Sequence, residues 1–149
     1  MAVSSVEERD AALTCVDQRW DELRAALDSH LLEPAGDGTD WTGREVYAHF
    51  ARWQAKTIAD LSETRAGRGP SPPEEDESVL NDRWRAEDRS LDAGVVIERC
   101  LNSRAELRSL LMSLRDDQWR TFGHLFAPDI NGEHYEDHLS AIRASETVS

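Results

Sequence analysis

Apolar residues in this chain recur at spacings of three and four almost from end to end, and no stretch shows the period of two that a half-buried strand needs. That periodicity restricts the fold to packed helices. Between residues 5 and 33, Leu13, Val16, Trp20, Leu23, Leu27 and Leu31 draw one stripe down a long helix, and Pro34, Gly36 and Gly38 end it. Thr42 followed by Glu45 forms a capping box, with Trp41 and Val46 at the two positions of a hydrophobic staple, so a second helix starts at about Gly43. Its inward face is Val46, His49, Phe50, Trp53, Thr57 and Leu61, and Gly67, Gly69 and Pro70 stop it. The segment GRGPSPPEEDE, residues 67–77, reads as a solvated crossover.

A shorter helix with Val79, Leu80 and Trp84 is predicted over Ser78–Arg89. Ser90 then reads as the N-cap of a third long helix carrying Ile97, Cys100, Leu107, Leu110, Leu111 and Leu114 inward, with Gly94 in its first turns. Asp116 caps a single turn ending near Trp119, followed by irregular chain at Thr121, Phe122, Gly123 and His124. After Pro128 a last helix runs from about Asp129 to Ala144 with Tyr135, His138, Leu139 and Ile142 on its apolar side. No internal repeat is present. The expected architecture is all-α: a four-helix bundle with a long crossover and one or two short extra helices, residues 1–149 forming a single domain.

Thirty acidic residues against 17 basic ones give a formal charge of −13. Such a balance argues against a nucleic-acid grip, which needs clustered positive charge to displace counterions, and against an anionic membrane surface. The basic residues are sixteen arginines and Lys56, scattered along the chain. No apolar stretch approaches the length of a membrane span, and the start MAVSSVEERD has neither a cationic leader nor an apolar core, so a cytoplasmic protein is expected. Cys15 and Cys100 both sit in helix-like stripes and are expected as buried free thiols.

Three histidines fall where a bundle places inward residues. His134 and His138 in HYEDH are four apart, one helical turn, the spacing of two ligands on one face. His49 lies on the inward stripe of the second helix. One pair and one single from different helices can form a three-nitrogen face around a divalent cation, leaving positions open for water or substrate. The positive end of the last helix's dipole favours the neutral imidazole that a metal requires. Glu133, Glu136 and Asp137 surround the pair, and each is a candidate to accept a ring N–H or act as a base. On residue physics alone the same pattern also suits surface caps near a helix N-terminus and a hydrogen-bonded core histidine. His30 and His124 fall at a helix end and in a loop, and read as structural or solvated. There is no G-x-S-x-G elbow, no P-loop and no dinucleotide fingerprint, and Tyr135 stands where a zincin motif needs Glu.

Four segments, DWTGREVYAHFARWQ (40–54), VLNDRWRAEDRSL (79–91), SRAELRSLLMSLRDDQW (103–119) and GEHYEDHLSAIR (132–143), together resemble the DinB-like (YfiT-like) four-helix bundle superfamily. That group includes the metal-binding domain of mycothiol-dependent maleylpyruvate isomerases, bacillithiol transferase-like proteins and ClbS/DfsB-like proteins. The resemblance implies a metal triad at His49, His134 and His138, zinc or nickel as the ion, and in some branches a low-molecular-weight thiol as cosubstrate. Asn81 matches an asparagine common in the ClbS/DfsB-like branch, whose members often lack a full triad, whereas this sequence carries all three histidines. Those isomerases carry a further C-terminal domain, so their reaction is not expected of residues 1–149. Pairing into a homodimer is also implied.

The expected function is therefore that of a divalent-metal-dependent enzyme acting on a small molecule by activating a thiol, as an S-transferase or isomerase does, or a water, as a hydrolase does. The alternatives are a non-catalytic bundle that binds or sequesters a small molecule, and a structural homodimer. A thiol bearing carboxylates would need arginines near the site to offset the acidic surface, and Arg83, Arg85 and Arg89, beside Asn81, are the candidates for substrate contact.

Overall fold

A computed structural model describes residues 5–36, 40–69, 75–122 and 133–146. Among these the chain is helical, with no strand: α1 (Ser5–Ser29), α2 (Gly43–Arg65), α3 (Glu77–Asp88), α4 (Ala93–Met112), α5 (Asp116–Phe122) and α6 (Glu133–Glu146). No helix among the described residues is long and apolar enough to cross a membrane. The α1 stripe is buried from Leu13 to Leu27. It meets Val46, Tyr47 and Phe50 of α2, Val96 and Cys100 of α4, and Tyr135, Leu139 and Ile142 of α6 in one cluster. A second cluster, Leu13, Leu61, Leu107, Leu111 and Leu114, closes the other end of the helices. α2 runs along α4 and α1 along α6.

The start of α2 follows its sequence signature. Thr42 Oγ1 accepts the Glu45 N–H at 3.2 Å, and Glu45 Oε1 accepts the Thr42 N–H at 3.2 Å, completing the capping box. Trp41 packs on the cluster that contains Val46, as a staple does. The next two donors serve another helix: Gly43 N–H donates to the His30 carbonyl and Arg44 N–H to that of Leu31, both at 2.9 Å. The end of α1 and the start of α2 thereby satisfy each other's unpaired backbone groups. That exchange corrects one boundary, because α1 stops at Ser29 and residues 30–32 form turns instead of carrying the helix to 33.

Other boundaries differ for similar reasons. α4 begins at Ala93 with Asp92 as N-cap, not at Ser90. Arg44 reaches across from α2 and donates to the carbonyls of Asp88, Arg89 and Leu91, which holds residues 89–91 as a turn. α5 continues to Phe122 beyond the single turn expected, with Thr121 Oγ1 donating to the Asp117 carbonyl at 2.9 Å. α3 starts one residue earlier than expected, at Glu77. The expected start of the last helix at Asp129, and Gly123 and His124, lie outside the described residues. Cys100 is buried as expected, but Cys15 is exposed. The stripe of α1 passes through its neighbour Val16 and turns Cys15 outward.

Candidate metal centre

The three histidines converge. His49 is buried on α2, His134 and His138 are partly buried on α6, and one ring nitrogen of each lies within 4.8 Å of the other two. The ring centroids form a near-equilateral triangle with sides of 5.0, 5.3 and 5.3 Å. His49 Nε2 stands 3.0 Å from His134 Nε2, across 85 residues of sequence. Phe50, next to His49, sets its ring against both other imidazoles at 4.6 and 5.0 Å, and the Trp41 indole meets His49 edge-on at 5.5 Å. These rings hold the imidazoles from the sides and leave the nitrogens facing one another.

The donor set fits a divalent cation. Two nitrogens each about 2.1 Å from a shared ion lie about 3.0 Å apart at a right angle and about 3.4 Å at the tetrahedral angle, so the His49–His134 separation is already in the ligand range. A ligand imidazole must be neutral, and burial, followed by the nearby His138, pushes His134 down to about 4. Among the described residues the cluster contains no carboxylate. Glu136 faces Arg19 at 3.6 Å and accepts a hydrogen bond from Ser140, Asp137 is exposed, and the Glu133 side chain lies outside the described residues. His30 sits in the turn after α1 with Nδ1 3.7 Å from Glu33.

Beside Trp41 a narrow cleft, with room for roughly one water molecule, reaches His49. It brings Asn81, Arg85 and Arg89 of the α3 region to this side of the molecule, together with Trp84 and Arg44. Arg83 is not on the cleft and pairs with Glu75 and Glu87. Most of the cleft's polar groups are already engaged. Arg85 lies 4.9 Å over the Trp41 ring, paired with Glu45 and, at 3.2 Å, with Asp40. Burial tends to raise the Glu45 pKa, but Arg85 and the Thr42 N–H outweigh it and hold this carboxyl below its usual range. Asn81 Oδ1 accepts the Trp53 indole N–H at 2.7 Å, and Asp88 is gripped by Arg52 at 2.8 and 3.1 Å.

Beside the histidines, sequence reasoning missed Gln54, which is 5% exposed. The signal was present: Tyr47, Phe50, Gln54, Thr57 and Leu61 recur at spacings of three and four, so an amide stands in an otherwise inward stripe. The chain matches no family model, no curated protein and no solved structure.

Proposed function

We propose that His49, His134 and His138 hold a divalent cation in a metal-dependent enzyme built on a DinB-like four-helix bundle. The observation that carries this reading is the approach of His49 Nε2 to His134 Nε2 at 3.0 Å, with His138 completing the triangle from the same helical face. Three imidazole nitrogens from two helices supply one face of a coordination sphere, and a cation there would provide the Lewis acidity that lowers the pKa of a thiol or a water. Zinc and nickel suit an all-imidazole set. The acidic surface raises the local concentration of cations.

The cleft beside His49, with room for roughly one water molecule, is read as the approach for water, and a larger substrate would need its walls to part. Arg85 is already neutralised by Glu45 and Asp40, and Arg44 is spent on backbone carbonyls. These pairings favour an uncharged or weakly charged substrate over one bearing several carboxylates, with the Trp41 and Trp84 rings as its apolar walls. The reaction is transfer from a small thiol or hydrolysis, carried out by a group that meets the open face of the cluster.

Untagged protein, loaded with Zn2+ or Ni2+, desalted and analysed by elemental mass spectrometry, tests the reading. Close to one equivalent per chain is expected, falling below about a tenth in His138→Ala with unchanged helical circular dichroism. Wild-type protein that retains less than about a tenth of an equivalent of either ion overturns it.

A further inference from the structure

Directly below the histidines, a buried polar chain links three helices. The Tyr135 hydroxyl donates to Gln54 Oε1, and the other end of the Gln54 amide donates through Nε2 to Ser103 Oγ at 2.8 Å and to the Cys100 carbonyl at 3.1 Å. Ser103 Oγ in turn donates to the Cys100 carbonyl at 3.1 Å. The amide can point only one way round, because the Cys100 carbonyl on α4 only accepts and so requires the nitrogen on that side. Tyr135 is held by two further rings as well, its centroid 5.2 Å from that of Trp20 and 5.0 Å from that of Phe50.

We infer that Gln54 and Tyr135 are positioning residues that set the register of α6 on α2, and so bring His134 and His138 to His49. The inference rests on the metal reading of those histidines. Tyr135 is the residue after His134, and Gln54 lies five residues, about 7.5 Å of helix, beyond His49. α6 is thus fixed to α2 at two heights, once through the imidazoles and once through the phenol. Packing along α1, with Arg19 against Glu136 and Arg143 against Glu22, already seats α6 on α1, and the two attachments to α2 set its height and rotation relative to His49. A ligand set needs this, since displacements of about 0.5 Å already degrade a coordination site. Anchoring the amide to α4 makes the second point rigid, because α4 is the helix along which α2 runs.

A merely structural role, satisfying a buried phenol, predicts lost stability and nothing at the imidazoles. The double variant Gln54→Leu/Tyr135→Phe removes donor and acceptor together and so leaves no unpaired buried group between them. Two measurements are made on it and on the wild type: nickel affinity by calorimetry, and the imidazole 15N signals of chelated, histidine-labelled protein. The expected result is a nickel dissociation constant raised about 10- to 100-fold, and loss of the distinct Nε2 signals of the His49–His134 contact. Leu13→Ala, in the other cluster, should lower thermal stability and move neither readout. Wild-type protein that takes up no nickel refutes the metal reading, and the imidazole signals of the chelated protein then decide the positioning role. Unchanged imidazole signals in the folded double variant, or an unchanged nickel affinity where the wild type binds nickel, overturn the inference. Should the double variant not fold, Tyr135→Phe, which loses one hydroxyl, is measured the same way.

Discussion

Gly43 lies against Leu27: a methyl group on its Cα would stand 2.9 Å from the His30 carbonyl oxygen and closer still to that of Leu27. The close approach is what allows Gly43 and Arg44 to donate into the end of α1. Gly43→Ala should therefore push the two helix ends apart despite the better helix propensity of alanine, at a cost of about 1–3 kcal/mol. The urea midpoint of unfolding measures it. An unchanged or raised midpoint would show that the junction has slack.

The two cysteines should behave as opposites. Burial pushes the Cys100 thiol up to about 12, with the Gln54 amide opposing only in part, whereas Cys15 is exposed. The thiolate is the reactive form, so native protein should consume one equivalent of a disulfide reagent quickly and the second only on unfolding. Cys15→Ser should abolish the fast phase. Two fast equivalents in the native state would contradict the burial of Cys100.

Stability in the chelated protein should fall on mild acidification. His134 is pushed down to about 4 when folded, by burial first and His138 second, and titrates near 6.5 when unfolded. Above pH 6.5 neither state binds this proton; between 6.5 and 4 only the unfolded chain does, so stability drops through that window by roughly 3 kcal/mol and levels off below it. His134→Gln should flatten the slope between pH 6.5 and 4. Burial tends to raise Asp17 and Glu45, but Arg108 and Arg104 beside the first and Arg85 beside the second hold both below their usual range; their contribution is lost from about pH 5 downward, so the effect of His134→Gln is read above pH 5.

Arg44 ties the end of α3 to α2 through the carbonyls of Asp88, Arg89 and Leu91. Arg44→Met keeps the aliphatic stem and removes the donors, and should cost about 1–3 kcal/mol. Amide hydrogen exchange should accelerate over residues 80–92 while the middle of α4 is unaffected. Uniform acceleration across the chain would mean that Arg44 supports the whole core and not this junction.

Features written within a few residues were legible in the sequence. The Thr42–Glu45 box needs only four residues, and the stripe of α1 needs only the helical period. The same period puts His134 and His138 on one face and His49 on the inward side of α2, which is why the cluster could be named before any coordinates. What could not be read depends on partners distant in the chain. α1 stops early because residues 43 and 44 donate to the carbonyls of His30 and Leu31 and hold them in the turn that follows it, α4 starts late because Arg44 holds the turn before it, and Gln54 is engaged by Tyr135 and Ser103, 81 and 49 residues away. Cys15 departs from its expected burial for a different reason: one position on a helix is a rotation of about 100°, enough to move a side chain from core to solvent.

The histidine cluster draws one member from residue 49 and two from the neighbourhood of residue 136, and this split has a consequence during synthesis. A ribosome must have produced the chain through residue 138 before the triangle can close, long after α1 and α2 have emerged. No nascent chain that stops short of residue 138 can present more than part of the donor set, so full capture of a cation would follow the making of α1 to α5. The order of the helices along the chain would thus make the contact between α2 and α6 a late one to form.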